Sequence, residues 1–162
     1  MPRSPVVRYI DTLVNAVLIL CMAALVVNIL WQVTSRFALN DPSSYTEEIA
    51  RFLLIWIGLL GGCYAYRHNS HLGLDLLTQK LSPAAQRLAA LLIDTVTIAF
   101  AALVLGYGGG QLVWLTLELQ QTSAALGIPM GYVYSVLPLS GALMVFYCLA
   151  LRDRTRAPEQ GS

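Results

Sequence analysis

From Met130 to Leu151 the chain runs for 22 residues without a charged side chain. At about 1.5 Å per residue a helix of that length reaches about 33 Å, enough to cross a hydrocarbon core of about 30 Å with slight tilt. Runs of similar character lie at about 9–33, 47–66 and 88–108. Four such spans use half of the 162 residues and leave only short loops and tails, so no soluble catalytic domain fits. The composition agrees: 57 % of residues are hydrophobic and 12 % charged, against roughly 25 % charged in a soluble domain. The sequence therefore predicts an all-α polytopic membrane protein. It has a four-helix membrane domain over 1–151, short interfacial helical segments, and a basic, disordered cytoplasmic tail over 152–162.

Orientation follows from the basic residues. Arg3, Arg8, Arg67, Lys80, Arg87, Arg152, Arg154 and Arg156 fall on one side of the four spans, and only Arg36 and Arg51 on the other. Because these segments are short and flank the spans, the positive side is the cytoplasm, and both termini lie there. Tyr9, Trp31, Tyr45, Tyr64, Tyr66, Trp114 and Tyr147 sit near span ends, at headgroup level, whereas Trp56 falls mid-span. Arg3 and Arg8 before an apolar run resemble a signal peptide, but the run is too long for one and is expected to stay as an uncleaved first helix. The formal net charge of +1 gives no footprint for nucleic acid. Cys21, Cys63 and Cys148 all lie in apolar runs and read as small buried hydrophobes.

Turn and cap signals divide the chain. Asn40-Asp41-Pro42-Ser43-Ser44 is a dense turn, and Ser44 with Glu47 has capping-box spacing for the second span. Ser82-Pro83 opens the third, and Leu76–Leu81 has the pattern of a short interfacial helix. Leu88–Leu119 is too long for a single upright crossing: either the helix is strongly tilted and projects outside, or it breaks around Gly108-Gly109-Gly110, and the break is the favoured reading, followed by an extracytoplasmic amphipathic segment from Gln111 to about Leu119. Gly58 and Gly62 make a small-xxx-small face on the second span, the spacing that lets helix backbones approach.

Polar groups in costly places are the candidate site. Glu47 and Glu48 both lie within reach of Arg51 at the outer lip of the second span, as an interfacial ion pair or as a contact with another protein. Arg67, His68, His71 and Asp75 mark its inner end, where Asp75 is placed to accept from His71 or Arg67. Two histidines three apart with no third donor do not make a metal site, and no cofactor site is expected. Asp94 lies one or two turns beneath the inner interface. It is an intramembrane ionisable group that serves either function or a pairing with Thr95, Thr97 or a neighbouring chain's basic group. No nucleophile has an oriented base, so an enzyme is not expected.

Two blocks carry a resemblance. Glu47-Glu48-x-x-Arg51, Trp56 and Gly58, then Arg67-x-x-x-His71-x-x-x-Asp75, form the first. Gln121-Thr122-Ser123-Ala124-Ala125-Leu126-Gly127-Ile128-Pro129-Met130, then Tyr134, Pro138 and Gly141, form the second. Together they resemble the small membrane subunit of tripartite ATP-independent periplasmic (TRAP) transporters, the DctQ-like family. The resemblance implies a bacterial inner-membrane subunit that scaffolds a larger multispanning, elevator-type permease subunit. A periplasmic binding protein delivers an organic acid, and an ion gradient, often of sodium, drives uptake. Glu48, Arg51 and Trp56 would form an outer contact group, Arg67, His71 and Asp75 an inner loop group, and Pro129 and Pro138 would shape the fourth helix. Gly73 departs from the family pattern in that loop. The alternatives are a free-standing homodimeric exporter with Asp94 as its coupling carboxylate, and an assembly factor for an unrelated membrane complex.

Overall fold

The computed structural model describes residues 5–38, 44–69 and 83–156. Among these the regular elements are α1 (Pro5–Ala38), α2 (Ser44–Asn69), α3 (Pro83–Phe100), a π-helical segment (Ala101–Gly108), α4 (Gly109–Glu118), α5 (Met130–Tyr134) and α6 (Val136–Arg156). The sole strand-like feature among them is an isolated bridge between Thr122 and Pro129. Four stretches are long and apolar enough to cross a membrane: Val6–Ala38, Ser44–His68, Leu91–Glu118 and Met130–Ala150. The fold is therefore an all-α polytopic membrane fold. His71, Asp75 and the 76–81 segment lie outside the described residues.

A seven-residue repeat joins the first two helices. Val7, Val14, Cys21, Asn28 and Ser35 recur every seventh position of α1, interleaved with Asp11, Leu18, Leu25 and Gln32, and all of these are buried or half-buried. Val6, Leu13, Leu20 and Val27, one position back, are exposed. Such a repeat keeps one seam facing a partner helix as the two wind round each other. The partner is α2, running antiparallel: the Asn28 amide donates to the Thr46 carbonyl at 2.7 Å, Leu18 lies against Gly61, and Asp11 meets Arg67. Near the α1–α2 connection the Trp31 indole N–H donates to the Tyr45 hydroxyl at 3.1 Å.

The four spans stand in a row. Helix α2 packs on α1 and on α6, and α6 packs on the third span. The core accordingly follows the middle of the row, through Leu60, Cys63, Val136, Ser140, Tyr147 and Cys148. The fourth span is its spine, with 33 % of its most apolar window buried against 6–11 % for the others.

The third span differs from its sequence expectation. No break occurs at Gly108-Gly109-Gly110; the backbone stays helical from Pro83 to Glu118, with φ and ψ near −62° and −43° at Gly108 and −63° and −41° at Gly109. Glycine lowers helix propensity in water, but inside a bilayer a broken helix would leave N–H and C=O groups with no partner. The rod instead widens into the π segment just before the glycines. It ends at Leu119 with Gln120 in the left-handed region (φ 48°), where Gln120 N–H donates to Leu117 O and Gln121 N–H to Thr116 O, closing the last turn. The fourth span is bent where Pro138 supplies no N–H to the Tyr134 carbonyl, and α5 gives way to α6 at Ser135.

Close backbone approach holds the third span to the fourth. A Cβ at Gly141 would lie 2.7 Å from the Ala101 carbonyl oxygen and 2.8 Å from the Gly106 nitrogen. A Cβ at Gly109 would lie 2.6 Å from that of Leu137. Gly141→Ala should therefore force the two backbones apart and destabilise the subunit by about 1–3 kcal/mol, read as a lower melting midpoint in detergent. Gly110→Ala, at a position with nothing within 4 Å, should not lower it.

Candidate functional site

Helix α2 carries polar groups at both ends, and the structure sends them in different directions. At the N-terminal end of α2, Glu47 and Glu48 are neighbours and so point about 100° apart around the helix. Glu47 takes Arg51, with Arg51 Nη2 3.1 Å from Glu47 Oε1 and both side chains about two-thirds exposed (67 % for Arg51 and 68 % for Glu47). Glu48 turns inward to the loop before α5. Its Oε1 accepts the Ala124 N–H at 3.1 Å, and its Oε2 accepts those of Ala125 at 3.0 Å and Leu126 at 2.9 Å.

Three successive N–H groups converge there because the loop is closed on itself. Ser123 N–H donates to Ile128 O, Gly127 N–H to Ser123 O, and Ile128 N–H to Ser123 Oγ. Gly127 has φ 66°, a conformation that favours glycine. Gln121 ties the loop at its base, with its N–H on Thr116 O and its carbonyl accepting from Met130 N–H at 2.8 Å. Pro129, with φ −59° and ψ 123°, then directs the chain into α5. A carboxylate on three backbone donors is a charge-assisted clasp, so Glu48 fixes this loop to α2.

At the C-terminal end of α2 Arg67 pairs with Asp11 of α1 at 2.6 Å, both nearly buried. The guanidinium also lies over the Tyr147 ring of α6, 5.1 Å from its centroid. Asp11 Oδ1 and the Tyr147 hydroxyl are buried beside this pair without a hydrogen-bond partner among the described residues. At the adjacent position, Tyr66 donates to Asp94 Oδ1 at 3.5 Å and lies 3.3 Å from Cys148 Sγ, joining α2, α3 and α6. Thr95 turns back to the Leu91 carbonyl and does not serve Asp94. Deeper in the same layer the Cys63 thiol donates to the Ser140 carbonyl at 3.3 Å.

The remaining predicted residues fall on an outward stripe or within the packing. Glu47, Arg51, Leu54, Gly58, Gly62, Ala65 and His68 follow one another at three- and four-residue steps along α2, and all are exposed. A Cβ at Gly58 or Gly62 would meet nothing within 4 Å. Trp56 is half-buried in mid-helix, and Pro138 is half-buried in α6. Among the described residues no group of three or more His, Cys, Asp or Glu is placed to hold a metal ion.

Asp11 and Asn28 are the polar residues of the α1–α2 contact that sequence reasoning passed over. Their signal was the seven-residue repeat itself, which places both on the seam of α1. Asp11→Ala should leave Arg67 buried without its carboxylate and destabilise the subunit by about 3–5 kcal/mol, with most of the loss recovered in Asp11→Ala/Arg67→Met. Melting of the purified subunit checks both. Glu48→Gln keeps the shape but not the charge, and should speed hydrogen exchange at Ala124, Ala125 and Leu126.

Comparison with known proteins accords with this geometry. Residues 25–153 match the family model described as "Tripartite ATP-independent periplasmic transporters, DctQ component". The sialic acid TRAP transporter small permease protein SiaQ of Vibrio cholerae is 31 % identical over 141 residues, covering 86 % of this chain and 79 % of that one. The ectoine TRAP transporter small permease protein TeaB of Halomonas elongata is 29 % identical over 134 residues, 80 % of this chain and 69 % of the other. The isethionate TRAP transporter permease protein DctMQ of Oleidesulfovibrio alaskensis is 35 % identical over 100 residues, which are 62 % of this chain but only 16 % of that much longer one. The match takes in the three spans that carry the Glu48 clasp, the Tyr66–Asp94 contact and the open stripe, and the chain belongs to the DctQ component family, as the non-catalytic small permease subunit of a TRAP transporter.

Proposed function

We propose that this subunit is a static brace whose open α2 stripe seats the large permease subunit in the bacterial inner membrane, with both termini in the cytoplasm. The carrying observation is the pair Gly58 and Gly62. Glycine in a helix costs about 1 kcal/mol relative to alanine, and among the described residues no atom lies where either Cβ would go. Their use is explained by a second helix backbone from outside the chain, close enough to exclude a Cβ. The Glu47–Arg51 pair at the outer end of the same stripe supplies fixed polar groups to that neighbour.

Further support comes from the isethionate relative, which contains a match to this chain as a small part of one longer permease chain. By extension a periplasmic binding protein delivers the solute, and the complex takes it up on an ion gradient. The transported solute is set by the other subunits. Relatives named for sialic acid, ectoine and isethionate are similar to this chain at 31 %, 29 % and 35 % identity, so likeness in the small subunit does not follow the solute. Placing Arg67, His71, Asp75 and the tail after α6 on the cytoplasmic side rests on the eight-to-two division of basic residues.

The test is co-purification with the large subunit in mild detergent. Gly62→Leu and Arg51→Glu should each abolish recovery of the complex while leaving the melting midpoint of the isolated subunit unchanged. Full recovery with both variants would remove the stripe as the seat.

A further inference from the structure

The three glycines at 108–110 are more than the resting packing requires. Only Gly109 needs to be glycine, because its Cβ would lie 2.6 Å from that of Leu137 and 3.2 Å from Pro138 Cδ. At Gly110 a Cβ would meet nothing within 4 Å, and at Gly108 it would make an ordinary contact of 3.6 Å with the Leu103 carbonyl. The glycines follow directly on the eight-residue π segment Ala101–Gly108. A π turn closes i to i+5 where an α turn closes i to i+4, so it holds one residue more per turn.

We infer that the π segment and the glycine run form a slip joint. Through it the outer part of the third span moves one residue along its own screw axis against α6, and the Glu48 clasp is its latch. Converting the wide turn to a regular one advances α4 by about 1.5 Å and turns it by about 100°. A screw motion of that size carries each residue into its neighbour's place, so Gly108 arrives opposite Leu137 and Pro138 where Gly109 had been. A further widening brings Gly110 there instead. Glycine meets α6 in each register, which accounts for all three.

The surroundings permit the motion and bound it. Ala102, Leu103, Val104 and Tyr107 of the π segment are exposed, and the hydrogen bond that the Gln111 amide donates to the Tyr107 hydroxyl at 2.8 Å stays within the third span itself. Gly141 lies under the segment and presents no side chain to it. The inner end is tied by Tyr66 to Asp94, below the joint. The outer end is tied by Glu48 to Ala124, Ala125 and Leu126, above it. Slipping leaves the inner tie in place and strains the outer one, so the outer tie selects the register.

The proposal does not depend on the α2 stripe being the seat of the large subunit, and its test uses the small subunit alone. Nitroxide labels on Trp114→Cys and Leu139→Cys, both exposed native positions, report the rotation of α4 against α6 by pulsed electron resonance once Cys21, Cys63 and Cys148 are replaced by Ser. The expected result is a main distance with a second population that grows in Glu48→Gln and vanishes on deletion of Leu103, which removes the extra residue. In the chain with its cysteines intact, hydrogen exchange over 101–108 should rise in Glu48→Gln and fall on the same deletion. A single distance in all three chains overturns the joint. So does exchange that neither change moves, or a Leu103 deletion that unfolds the subunit.

Discussion

Between helices in a bilayer there is no water to take up a polar group left without a partner, and apolar surface gains little by leaving lipid for protein. Association therefore rests on close packing and on polar contacts made from helix to helix. In this subunit those contacts converge on α2. Thr46 and Arg67 tie it to α1, Cys63 and Arg67 to α6, Tyr66 to α3, and Glu48 to the loop before α5. The row of four helices has its hub in the second, although the fourth is the most buried.

The same helix is the one with an unused face. Its inward residues are spent on neighbours in the chain, while the side bearing Glu47, Arg51, Gly58, Gly62 and Ala65 is exposed among the described residues. A helix fixed on three sides and bare on the fourth is suited to transmit rigidity: whatever packs on the bare side is held by a backbone that four other segments keep in place. Arg67 shows the principle most clearly. One guanidinium meets a carboxylate from α1 and an aromatic face from α6, so it sets the spacing of three helices at the inner end.

Much of this was legible from sequence. The four spans, the start of α2 at Ser44 and the small face of α2 follow from hydropathy and residue spacing, as do the family and the loop at Gln121–Pro129 from the two blocks of matching residues. What could not be read was the choice among partners. Glu47 and Glu48 are both in reach of Arg51 by helix geometry, and only the fold shows that a loop 76 residues further along claims Glu48. Asp11 reaches Arg67 across the antiparallel seam, a pairing that spacing along the chain does not reveal. The continuous third span was misjudged for a different reason. Glycine propensities describe helices in water, and in lipid the cost of unpaired backbone groups outweighs them.

That cost also explains where flexibility can reside in such a chain. A loop or a break within the hydrocarbon is excluded, so a membrane helix that must change register does so without losing its hydrogen bonds, by trading one helical ring size for another. The wide turn between Asp94 and the glycine run is of this kind, and it lies in the one span not clamped along its length by α2. Rigidity and adjustability are thus assigned to different helices. The second carries the fixed polar contacts at both depths, and the third, held to the fourth by backbone packing at Gly109 and Gly141 and by polar ties near its ends, keeps the segment that can slide.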